Sequence, residues 1–155
     1  MILTPEERLR LLEPNQGVSR VSRATFSLSY DLDTTHAHEF GLREAPPARF
    51  MAYRLWTNVP QEGMVTLKRL QAGMLNAIME PIDAYLFSWK FQKNEEELRR
   101  ALGQEKENPP KNAPCWIDIP PCDSVVLHLS YEGGYHDPRR RFPLSFVFAG
   151  ARADP

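Results

Sequence analysis

The chain has 155 residues, the length of one ordinary domain, and a domain of that size buries roughly two-thirds of the surface its unfolded chain exposes. Its 19 lysines and arginines against 20 acids, with 42% hydrophobic and 10% aromatic residues, exclude wholesale disorder. The same balance leaves no overall cationic field of the kind that drives sequence-independent nucleic-acid binding. Proline reaches 14 residues, above the usual share of about 5%, and points to extended connections.

The first residues, Met1 to Pro14, carry Glu6 and Glu7 and lack the apolar run of a secretory signal. No window reaches the roughly eighteen apolar residues of a membrane span. The expectation is a single domain over 1–155, not secreted by a signal peptide, without a membrane partner, and cytoplasmic or assembled in a particle. Cys115 and Cys122, with six residues between them, match no common zinc or redox spacing and read as two free thiols.

In chain order, Thr4-Pro5-Glu6-Glu7 ahead of Leu9, Leu11 and Leu12 predicts a short helix ending near Pro14. Within Val18 to Leu32, Ala24, Phe26, Leu28 and Tyr30 alternate with Thr25, Ser27, Ser29 and Asp31, which predicts a half-buried strand. Phe50 to Val59 repeats the β signature, and residues 33–49 between them read as a long connection. Met64, Leu67, Leu70, Met74, Leu75 and Ile78 recur at steps of three and four, predicting one main amphipathic helix over 64–79, with Gly73 at odds with its interior.

Tyr85, Phe87, Trp89 and Phe91 alternate as a strand, and Asn94 followed by Glu97 predicts a short helix over 95–102 closed by Gly103. Residues 104–123 hold five prolines and read as an extended arm. Val125, Leu127, Leu129 and Tyr131, then Phe142, Leu144, Phe146 and Phe148, predict a closing hairpin with 133–141 as its loop. The sum is an α+β domain: an antiparallel sheet of about five strands, the 64–79 helix packed on one face, and short flanking helices.

The sequence carries no Gly-rich phosphate loop, no Gly-x-Ser-x-Gly elbow and no His-Glu-x-x-His helix, so the common nucleotide-dependent and hydrolase classes lack their usual signatures, and no cofactor is expected. His36 and His38, two apart, would point the same way on an extended chain and are the candidate metal ligands, beside Asp31, Asp33 and Glu39. A metal site needs further ligands that the spacing does not supply, so a solvated loop is the plainer reading. His128-Leu129-Ser130 resembles one half of the paired His-x-Ser/Thr signature of 2H phosphoesterases. That resemblance implies a proton-handling His128 and a phosphate-holding Ser130. The nearest candidate for its second half reads His36-Ala37-His38.

Tyr135, His136, Arg139, Arg140 and Arg141 crowd one loop. Arginine forks and aromatic rings suit phosphates and bases, and equally protein interfaces. The near-neutral chain favours protein over nucleic acid. The functional expectation is therefore a non-enzymatic structural or assembly subunit that contacts protein partners, as a homo- or hetero-oligomer, through 33–49, 104–123 and 133–141. Phage-like or other large particles use small subunits of this general kind.

Overall fold

A period-two alternation of apolar and polar residues runs through most of the chain, and the computed structural model, which describes residues 20–88 and 116–154, turns it into strands. They are β1 (Arg20–Asp33), β2 (His38–Glu44), β3 (Phe50–Thr57), β4 (Val65–Ala72), β5 (Leu75–Ile78), β6 (Ile82–Asp83), β7 (Trp116–Ile119), β8 (Val125–Tyr131) and β9 (Arg141–Asp154). All pair antiparallel, in two sheets of order β1-β9-β3-β7 and β2-β8-β4-β5, with β6 added beside β4. We call these sheets A and B.

The pairing is nested: β1 with β9, β2 with β8, β3 with β7 and β4 with β5. A long hairpin wrapped across two layers gives this order, the topology of an eight-stranded jelly roll. One hydrophobic cluster joins the inner faces. It includes Leu28, Leu55, Phe146 and Phe148 from sheet A, and Leu42, Leu67, Leu127 and Leu129 from sheet B. Phe26 stacks on Phe148 with centroids 4.9 Å apart and meets Phe50 edge-on at 5.2 Å, geometries that aromatic pairs prefer.

The α+β expectation is overturned, since the described residues contain no α-helix. Residues 64–79 form β4, a turn at Gly73 and β5 instead of the amphipathic helix. The reason lies in two β-bulges. Leu67 faces Leu129 and Arg69 faces His128, so Lys68 is an extra residue; Leu70 faces Ile78 and Gln71 faces Asn76, so Ala77 is another. Each bulge stretches a two-residue spacing of same-face positions to three, from Leu67 to Leu70 and from Leu75 to Ile78, and three-residue steps imitate a helix. Gly73, with φ 58°, supplies the left-handed turn between the strands.

Three further expectations are corrected. The connection 33–49 contains a strand, β2, whose Phe40 and Leu42 face inward while Glu39, Gly41 and Arg43 are exposed. Ala84–Phe87 is a 3-10 turn and not the start of a strand, because the Asp83 carboxylate caps it by accepting from the Tyr85 N–H at 3.0 Å. The 104–123 arm contributes β7. β8 and β9 form no hairpin with each other: β8 pairs with β2 and β4, and β9 with β1 and β3. The expected helices over 4–14 and 95–102, and Trp89 and Phe91, lie outside the described residues.

Candidate functional site at the loop end

Nested pairing has a direct consequence for the two loops singled out by their residues. The β1–β2 connection (34–37) and the β8–β9 connection (132–140) emerge side by side, because Asp33 and Arg141 are the last register pair of β1 and β9 and His38 and Tyr131 begin that of β2 and β8. The Thr34 N–H donates to the Arg140 carbonyl at 3.2 Å. The buried Tyr131 hydroxyl lies 3.2 Å from the Thr34 carbonyl and 3.3 Å from that of Tyr135, and it accepts from the Tyr135 N–H at 3.3 Å. The Tyr135 ring packs edge-on against Phe142, centroids 5.5 Å apart. His36 and His38 thus share one end of the sandwich with Tyr135, His136 and Arg139 to Arg141.

The histidines here are tied into local networks. His38 Nδ1 is 2.9 Å from the His36 carbonyl, which only accepts, so Nδ1 carries a proton there, and Nε2 faces the Tyr30 hydroxyl at 3.4 Å. Its ring lies among Tyr30, Phe40 and Tyr131. Tyr30 in turn stacks on Phe40 at 4.2 Å, joining an edge of sheet A to an edge of sheet B. His36 Nδ1 meets the Thr35 hydroxyl at 3.2 Å, and that hydroxyl donates to Asp33 at 2.6 Å. Among the described residues, no three His, Cys, Asp or Glu side chains gather as a metal site would require.

Arg139 and Arg141 stand opposite acids. Asp137 accepts from the Arg139 N–H at 2.8 Å and lies 3.5 Å from its guanidinium, while Arg141 is 3.9 Å from Asp31. The Thr35 hydroxyl, then its N–H, hold the Asp33 carboxyl below the usual carboxylate range, with smaller help from His36 and Arg141. The loop end is therefore charged but compensated, unlike the uncompensated cationic stripe that phosphate backbones select. Arg140 itself adopts φ 58°, a left-handed conformation uncommon for a side chain of its size, and its N–H donates to the Asp137 carbonyl at 2.9 Å.

His128 and Ser130 sit elsewhere. Register places His128 between Gly41 and Arg69, and Ser130 between Glu39 and Thr66, both pointing outward from sheet B. His38, opposite the buried Tyr131, belongs to the inward face. The structure accordingly puts His128 and Ser130 on the outer face of sheet B and His38 on the inner one, with His36 in the β1–β2 connection. On that outer face, the Lys68 ammonium reaches past β8 to Glu39, and this contact lowers the carboxyl of Glu39 below its usual range while raising the ammonium of Lys68 above its own. Arg69 donates to the Asn76 amide oxygen at 2.8 Å. Cys122 is a free thiol, pushed up from the usual cysteine range chiefly by burial; Cys115 lies outside the described residues.

Sequence reasoning missed one feature of consequence. Met74 is 98% exposed, Met79 72% and Leu75 43%, the large exposed hydrophobics among the described residues, and they lie in the β4–β5 turn, on β5 and just past its end. The helical reading had assigned Met74 and Leu75 to a core stripe. The signal available in sequence was the run Met74 to Met79, which holds no charge and no proline. No helix among the described residues is long and apolar enough to cross a membrane. Comparison of the chain with protein-family models, with curated proteins and with solved structures finds no match in any of the three.

Proposed function

We propose that the chain is a non-enzymatic structural subunit that assembles with protein partners, in a phage-like or other large particle. The observation that carries this reading is the exposure of Met74, Leu75 and Met79 on an edge strand and at its two ends. Exposed apolar residues along a sheet edge are the kind of surface that protein contacts cover. The loop end supports the same reading. Its Arg139 and Arg141 face Asp137 and Asp31 on a hydrogen-bonded frame, a pattern that suits a mixed-charge protein surface better than a polyanion. Jelly rolls serve capsid subunits, lectins and cupins alike, so the topology is compatible with assembly by analogy only.

Light scattering and sedimentation velocity of the full chain test the proposal, alone and mixed with the proteins encoded beside it. The expected result is a species heavier than the monomer, alone or with a partner. A chain that stays monomeric at every concentration and with every such partner overturns it.

A further inference from the structure

We infer that β1 is the contact edge of a two-fold symmetric dimer, in which sheet A of one copy continues into sheet A of a second copy by antiparallel pairing of β1 with β1 about Ser27. The inference rests on the assembly reading above and names a second copy of this chain as the partner.

β1 ends its sheet. Among the described residues its one strand partner is β9, and the two run in unbroken register from Arg20 to Asp33. Native edges are normally blunted by shortness, bulges, proline or charge. β1 is 14 residues long, has no bulge, proline or glycine, and carries no charge from Ala24 to Tyr30. Its core-facing side is also unfinished. Ala24, Phe26 and Tyr30 pack on the core yet are only partly buried, whereas Leu144, Phe146 and Phe148 on the neighbouring β9 are fully buried. A strand added at this edge would cover that apolar seam.

The stretch Arg23 to Asp31 is self-complementary, which is what a two-fold pair requires: where residue i faces j, j faces i. With Ser27 on the axis, Arg23 faces Asp31 in the second copy, Ala24 faces Tyr30, Thr25 faces Ser29 and Phe26 faces Leu28. Residues of opposite charge, apolar residues and hydroxyls thus each meet their match, and such cross-strand pairs stabilise antiparallel strands. Opposed positions are always an even number of residues apart, so each pair lies on one face of the joined sheet. Alternation alone would also allow a shift by two residues, and charge decides between the registers. One shift sets Arg23 against Ser29. The other sets it against Asp33, whose carboxylate already accepts from the Thr35 hydroxyl and N–H and whose side chain is 31% exposed. The Asp31 side chain, 3.9 Å from Arg141, keeps 72% of its exposure and is open to a second cation. Small Ala24 opposite Tyr30 leaves room for the Phe40 ring stacked there.

Cross-linking reads this register directly. With Cys115→Ser and Cys122→Ser as background, Thr25→Cys, Ser27→Cys and Ser29→Cys chains, each altered at an exposed position, are prepared separately and treated with a short bis-maleimide, alone and mixed. Opposite Cβ atoms lie about 5 Å apart, whereas Thr25 and its own symmetry mate are offset by about 13 Å. The expected result is cross-linked dimer from Ser27→Cys alone, and from Thr25→Cys with Ser29→Cys chiefly in their mixture. A second measurement uses Ser27→Asp, which sets two carboxylates against each other at the axis; its fold is checked by circular dichroism. Its self-association should weaken about threefold or more by sedimentation velocity.

If the wild-type chain self-associates but Ser27→Cys gives no cross-link, the mixture gives no more than its components, or Ser27→Asp associates as before, this edge is overturned while the assembly reading stands. A chain that is monomeric alone yet joins a neighbour-encoded partner has the same meaning. A chain monomeric in every mixture overturns both.

Discussion

The hydroxyl of Tyr131 lies 3.2 Å from the carbonyl of Thr34, so a residue at the end of β8 in sheet B holds the first residue beyond β1 in sheet A. Together with the Tyr135 N–H, this one buried oxygen ties both candidate loops to the core. Replacing it by Tyr131→Phe leaves the ring packing intact and strands a carbonyl and an amide. The expected loss is about 1–2 kcal/mol by denaturant unfolding, with faster amide exchange at Tyr135. Unchanged exchange at Tyr135 would show that the hydroxyl does not hold the loop.

The bulge at Lys68 keeps Leu67 and Leu70 on the same face of β4. Lys68→Ala retains the extra residue and should be tolerated. Deletion of Lys68 removes it and leaves Leu67, Arg69 and Leu70 in plain alternation opposite Leu129, His128 and Leu127, so the register and the inner face of β4 are kept. The deletion is therefore expected to fold, within about 1–2 kcal/mol of the alanine change by denaturant unfolding. A deletion variant that fails to fold would show that the extra residue is needed to hold the core positions.

Gly150 of β9 pairs with Ala52 of β3, beside the register shift between Ala52 and Arg54. A Cβ there would lie 1.8 Å from the Met51 carbonyl oxygen and 2.8 Å from the Ala52 Cα, both backbone atoms. Gly150→Ala must therefore push two paired strands apart, and a loss of about 3 kcal/mol or total failure to fold is expected. Thermal unfolding of the variant checks it.

Asp33 carries the acid-side prediction. Its carboxyl is held below the usual range, first by the Thr35 hydroxyl. A lowered folded value stabilises above the unfolded one, and that contribution disappears as pH falls through the folded value. Thr35→Val removes the hydroxyl donor. Wild type should hold its full advantage over this variant at about pH 7 and lose it below the ordinary carboxylate range, by about pH 2. Urea midpoints at the two pH values measure it, and an advantage of equal size at both would contradict the assignment. An NMR titration should show the Asp33 midpoint rising in the variant.

The strands with clean alternation were legible. β1, β3, β8 and the first half of β9 lie within the stretches Val18 to Leu32, Phe50 to Val59, Val125 to Tyr131 and Phe142 to Phe148, or run on from them. The 64–79 segment was misread because a bulge is invisible in a one-dimensional pattern: an inserted residue alters the spacing and leaves the composition unchanged. β2 was hidden for a different cause, since its outward positions are charged or glycine and its neighbours are proline-rich. The candidate site was legible as two separate groups, the histidines of 36–38 and the arginines of 139–141, but not as one place.

What the sequence determined by itself was which residues seek the interior, which loops concentrate charge and rings, and which familiar catalytic signatures are missing, because these depend on residue type and near spacing. The tertiary structure alone decided that β8 and β9 part into different sheets, that residues a hundred positions apart share one loop end, and that Met74, Leu75 and Met79 stand in solvent. Those outcomes depend on which strands exchange hydrogen bonds across the whole chain, a choice made by closing two sheets over a common core, and no local pattern encodes it.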